Sequence, residues 1–241
     1  MTGRTAGVAW LSAAALVVSS GLLLMGTQQQ ADAQSIRIGS YRPRFIVVFL
    51  DETESRGQAW DAMREKAALI ASRLKNKEAF AVIGIDDHGF DEQDVRIPLS
   101  VLQAQNDLMV AALNQQRQAI VQRVTKLKPR GHPQRTDIVG AIKQALDMAN
   151  KESRDRKVVL AFFSDMQQTP KMPDAASFRD IKFPAGTEAH CFYVAASQNY
   201  DFPKTVDLWQ RLLTAAGIKI SVNDFHQQGT VDRGVDTAFP Q

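Results

Sequence analysis

Phe45-Ile46-Val47-Val48-Phe49-Leu50 (FIVVFL) carries no polar residue and runs straight into Asp51-Glu52-Thr53-Glu54-Ser55 (DETES). A continuous apolar run of this kind marks a strand buried on both faces, because a strand with one wet face alternates. Ala79–Ile85 (AFAVIGI), Val158–Phe163 (VVLAFF) and His190–Ala195 (HCFYVA) have the same character. Helical periodicity lies between them. Gln58–Lys75 spaces Trp60, Met63, Ala67, Ile70 and Leu74 by three and four. Asp137–Asn150 does the same with Ile138, Ile142, Ala145 and Ala149, and Thr205–Ala216 is stopped by Gly217. Val95–Leu99 contains Pro98, which removes a ladder donor and so predicts an edge strand. Ser100 and Gln103 form a capping-box pattern ahead of a stripe of Leu102, Met109, Leu113, Ile120, Val124 and Leu127. That pattern predicts one helix over Val101–Leu127, roughly 40 Å long at 1.5 Å per residue. Ile218–Val222 is a last short strand, and 223–241 reads as a polar tail. Buried strands alternating with helices predict an α/β fold: a doubly wound, mainly parallel sheet with helices on both faces, spanning 44–222 after a linker over 34–43.

The 241 residues are 44% hydrophobic and 23% charged, which is globular composition and excludes wholesale disorder. A net charge of +3 and a pI near 9.0 are too mild to indicate nucleic acid. The lone Cys191 excludes an intrachain disulfide and any CxxC zinc site, and its apolar strand predicts a buried, inert thiol. Residues 8–25 (VAWLSAAALVVSSGLLLM) are free of charge and follow Arg4. With Ala31-Asp32-Ala33 ahead of Gln34, the first 33 residues read as a signal peptide, or as an uncleaved signal anchor inserted through 8–25. Either reading exports the remainder to the periplasm or cell envelope, and the anchor reading holds it at the inner membrane.

Ligands on a doubly wound sheet bind beyond the carboxyl ends of the strands. The residues at those ends are oxygen donors. Asp51, Thr53 and Ser55 follow the first strand, Asp165 follows VVLAFF-Ser164, and Thr136 stands at the start of a helix. Each residue has a plainer reading, since Ser55 and Thr136 could be helix N-caps and Asp165 a strand end. Together they make two carboxylates and three hydroxyls with no His or Cys. Such hard ligands suit Mg²⁺, Mn²⁺ or Ca²⁺, and five small side chains leave Mg²⁺ an open position.

FIVVFL-DETES, the RTDIVGAI loop around Thr136 and VVLAFF-SD together resemble a von Willebrand factor type A (vWA) domain, over about Arg44 to Val222. The resemblance implies that Asp51, Thr53 and Ser55 match the family's DxSxS loop, with threonine in place of the middle serine. It implies that Thr136 and Asp165 supply the rest of a metal-ion-dependent adhesion site (MIDAS). It also implies one antiparallel edge strand, in agreement with Pro98, and a partner protein whose Asp or Glu completes the cation's coordination. The helix over 101–127 is longer than the family usually has there; it is either a docking surface or two helices read as one.

Three functions follow. The first is a non-enzymatic, metal-dependent protein-binding module for adhesion or assembly. The second is a Mg²⁺-dependent phosphatase-like hydrolase with Asp51 as nucleophile, against which Thr53 stands where a general acid is needed. The third is a scaffold whose metal pocket is unused. No nucleophile elbow, P-loop or HExxH occurs. Two charge runs remain. Lys126, Lys128, Arg130, His132 and Arg135, with Arg56 beside Ser55, form either a solvated helix end or a basic rim steering an acidic ligand to the metal. In the second reading Arg56, Arg130 and Arg135 touch the partner. Asp86, Asp87, His88, Asp91, Glu92 and Asp94 form a solvated acidic loop or a second cation site.

Overall fold

The computed structural model describes residues 41–53, 59–87, 94–105, 109–130, 135–152, 155–193, 201–224 and 230–240. Six strands, β1 (Arg44–Asp51), β2 (Ala79–Ile85), β3 (Val95–Val101), β4 (Lys157–Ser164), β5 (Glu188–Tyr193) and β6 (Lys219–Asp224), form one sheet in the order β3-β2-β1-β4-β5-β6. All neighbours are parallel except β2 and β3, which run antiparallel. Pro98 lies on β3, at the sheet edge, where a missing N–H breaks no ladder.

Both faces are covered, which is why the central strands read as unbroken apolar runs. On one face α1 (Trp60–Ser72), α2 (Val110–Thr125) and α5 (Thr230–Ala238) pack over Ile46, Val48, Leu50, Phe80, Val82 and Phe163. On the other, α3 (Ile138–Glu152) and α4 (Phe202–Ala215) cover Phe45, Val47, Phe49, Leu160 and Phe162. Phe49 and Phe162 stack with ring centroids 4.2 Å apart. The end of α4 is set by Gly217 at φ 83°, with Ile218 N–H donating to Leu213 O and Gly217 N–H to Thr214 O. That paired return is the Schellman arrangement, which favours glycine.

Two sequence expectations are corrected. The helix over Val101–Leu127 does not form as one piece: β3 extends to Val101 and α2 begins only at Val110. Ser100 belongs to the strand and does not cap a helix, and the Gln103 backbone is bonded from both sides by the Gln116 amide. Leu102 is buried in the same core as Leu113, whereas Met109 is 42% exposed, so their helical phase was a coincidence of spacing. The second correction concerns the polar tail over 223–241, which instead completes β6 and forms α5. Val231, Val235 and Phe239, spaced by four, enter the core. Lys66 of α1 and Arg73, which caps its end, pair with Asp232 and Asp236 of α5, while Arg44 donates to Ala238 O and lies over the Phe239 ring. Among the described residues no helix is long and apolar enough to cross a membrane. The apolar run 8–25 lies outside them.

His190 of β5 packs 5.8 Å from the Phe239 ring and shares a 2.6 Å hydrogen bond with Ser221. Burial holds its imidazole below the ordinary histidine range, with Lys157, Arg44 and Lys219 acting the same way and Glu188 opposing. The unfolded chain therefore takes up this proton at higher pH than the folded one, so His190 contributes stability above its unfolded value of 6.5 that is lost as pH falls. His190→Gln should flatten the acid side of the stability profile. Urea midpoints measured from pH 7.5 downward, with wild-type and variant slopes coinciding, would remove this assignment.

Candidate metal centre

Strand alternation sends Val47, Phe49 and Asp51 to the α3 side of the sheet, and Leu160, Phe162 and Ser164 to the same side. The register that stacks Phe49 on Phe162 carries on to place Asp51 beside Ser164. Ser164 Oγ donates to Asp51 Oδ2 at 2.6 Å and accepts from the Met166 N–H. Thr53 donates to Asp51 Oδ1 twice, from its hydroxyl at 2.6 Å and from its N–H at 3.1 Å. Asp51 is thus fully buried and held by two hydroxyls and one amide. Among the described residues it has no cationic partner. A buried carboxylate held only by neutral donors carries a desolvation cost that a cation would offset.

Asp165 follows Ser164 into a turn in which Asp165 Oδ1 accepts from the Gln167 N–H at 2.8 Å. Met166, at φ 59°, sits in the left-handed region, and its carbonyl accepts from the buried Trp209 indole at 2.7 Å. Such backbone strain persists only where surrounding packing enforces it. Thr136 is tied to this same turn: its N–H donates to Thr169 Oγ1 at 2.8 Å and its carbonyl accepts from the Thr169 N–H. The next residue, Asp137, donates its N–H to Asp86 O just beyond β2. Since β1 lies between β2 and β4, the 136–137 backbone crosses the carboxyl end of β1 above Asp51. Asp137 Oδ1 accepts from the Gly140 N–H and is the N-cap of α3, so Thr136 is not the cap.

The described residues therefore gather Asp51, Thr53, Thr136 and Asp165, all buried, around the switch point where connections from β1 and β4 leave in opposite directions. Ser55 and Arg56 lie outside the described residues. Among the described residues no three His, Cys, Asp or Glu side chains form a metal cluster. A cation here would rest on carboxylates with hydroxyl and water oxygens, a donor set that fits Mg²⁺.

Sequence reasoning missed the residues beside the centre. Glu52, also buried, pairs with Arg96 of β3 and accepts the Arg130 N–H at 2.7 Å. Burial pushes its carboxyl above the ordinary range, while Arg96 and Arg130 pull it back without reversing the shift. A Cβ on Gly84 would overlap Glu52 Oε1, so glycine is the residue that leaves room for this carboxylate in β2. Arg130 is not a free rim residue: its guanidinium pairs with Asp94 at 3.0 Å and reaches Asp86 at 3.9 Å. Asp86 and Asp94 are buried, so the ends of the acidic run are not solvated. Arg135 is exposed. Cys191 is buried, and desolvation pushes its thiol far up, away from the reactive thiolate.

No protein-family model and no curated protein matches the chain. Solved structures do. The chain is similar to a von Willebrand factor type A protein from Catenulispora acidiphila, with a TM-score of 0.56 and 16% identity over 81% of this chain and 42% of that one. It is similar also to the pilus adhesin SpaC from Lactobacillus rhamnosus GG, with a TM-score of 0.52 and 12% identity over 83% of this chain and 30% of that one. The chain thus spans less than half the length of either. Identities this low speak for architecture alone: the molecule is a vWA/Rossmann-like α/β fold with a six-stranded, mostly parallel sheet.

Proposed function

We propose that the chain is an exported, non-enzymatic module that holds a divalent cation at the carboxyl ends of β1 and β4 and through it binds an acidic side chain of a partner protein. Asp51, Thr53, Ser55, Thr136 and Asp165 would hold the ion, with Mg²⁺ preferred and Mn²⁺ or Ca²⁺ as alternatives. The observation that supports this is the Asp51 carboxylate, buried at the switch point among neutral donors. A cation bound by two carboxylates and neutral oxygens keeps an open position, which a partner's Asp or Glu can fill. The fold's likeness to a pilus adhesin is consistent with that role. Hydrolysis is disfavoured because Thr53 stands at the general-acid position, where a hydroxyl cannot supply a proton at neutral pH, and that hydroxyl donates to Asp51.

The test is affinity capture from envelope extract with Mg²⁺, with chelator, and with Asp51→Ala or Asp165→Ala. Capture should require Mg²⁺ and both carboxylates. Capture that survives chelation and both substitutions removes the mechanism. Turnover of p-nitrophenyl phosphate that Asp51→Asn abolishes would reinstate the hydrolase.

A further inference from the structure

At the opposite end of the sheet, where the parallel strands begin, a groove of about 1130 Å³ lies between the segments entering β1, β2 and β4 and the start of α2. That is slightly above the roughly 300–1,000 Å³ of small-molecule sites, so the groove has room for a stretch of polypeptide. Four basic side chains line the groove against one acid, Asp155. Of the four, Lys75, Lys77 and Arg117 pair with no carboxylate among the described residues. Arg117 is braced rather than neutralised, by Leu74 O and the Asn114 amide oxygen. Tyr41 and Val110 also line the groove and Met109 adjoins it; at 52%, 54% and 42% they are the exposed large hydrophobic residues of the described chain. Scattered singly they would need no explanation, but gathered at one basic concavity they mark an interaction site. Lys75 sits over the Tyr41 ring, 5.8 Å from its centroid, so charge and apolar surface form one patch.

We propose that this groove is a second docking site, independent of the metal centre, for an extended acidic segment of a partner protein that also carries aliphatic or aromatic side chains. Charge complementarity selects the acidic residues, and Tyr41, Met109 and Val110 take the apolar ones. A concave surface favours a peptide over the plane of a membrane.

The probe is a fluorescein-labelled peptide alternating glutamate with leucine, and its control alternates lysine with leucine. Anisotropy titrations use the full-length chain in chelator, which separates this site from the metal centre. The acidic peptide should bind and the basic one should not. Affinity should fall about tenfold on going from low salt to about 0.15 M, as expected of exposed charges. Lys75→Gln with Lys77→Gln and Arg117→Gln should weaken binding about tenfold. Val110→Glu should do likewise, and a carboxylate in the first turn of α2 favours that helix, so loss of fold would not be the cause. Equal binding of both peptides, or binding that both variants leave intact, overturns the proposal. So does sedimentation of the chain with anionic phospholipid vesicles that excess acidic peptide cannot release, which would assign the surface to a membrane.

Discussion

Saturating Mg²⁺ is expected to raise the melting temperature of the chain by about 5–10 °C, and Asp51→Asn to abolish that rise. A ligand that binds only the folded state at a hundred times its Kd adds about 2.7 kcal/mol. For a domain of this size each kcal/mol moves the midpoint by about 2–4 °C. The order of the two proteins should also invert. In chelator the Asp51→Asn variant should melt at or above the wild type, because the substitution removes a buried charge that, among the described residues, neutral donors of Thr53 and Ser164 hold. In Mg²⁺ the wild type should lead. Differential scanning fluorimetry with and without chelator reads both effects, and identical midpoints for the wild type in the two buffers would sink the assignment of the metal centre.

Glu52→Gln is expected to destabilise the fold by about 3 kcal/mol, because it leaves Arg96 largely buried without its counter-charge. The loss arises at the same pole as the proposed metal centre but involves none of its ligands, so chelator should not change it. Glu52 also fixes the 126–130 segment by accepting from the Arg130 N–H, while Arg96 donates to Lys128 O at 2.7 Å. Pairing Glu52→Leu with Arg96→Met should recover much of the loss, since an apolar pair carries no unpaired charge. Guanidinium denaturation of the two single variants and the double variant checks this. Additive losses in the cycle would mean that the ion pair is not the cause.

The contrast between these two sites explains what could be read from the chain. Ala79–Ile85 was legible to the residue because a strand covered on both faces has no polar alternation to blur its ends. The oxygen donors could be singled out because each follows an apolar run or precedes a helix; Asp51 ends β1, Asp165 follows β4 and Thr136 lies just ahead of α3. Glu52, Arg96 and Arg130 were not, because their partners lie 44 and 78 residues apart and nothing local marks such a pairing. The same holds for Arg130 with Asp94, where a charge run suggested solvent and the fold supplied counter-ions. Over 231–239, Val231, Val235 and Phe239 among polar neighbours gave too thin a stripe to outweigh the charge around them. In α2 the error ran the other way: Leu102 and Met109 kept a regular phase across a strand end and a connection.

Pro98 bears on self-association. An exposed strand edge is a template on which another copy can add, and repetition of that addition makes fibrils. On β3 the exposed Pro98 offers no N–H to an incoming strand, and register shifts interrupt its pairing with β2. Both features work against open-ended sheet growth through this margin.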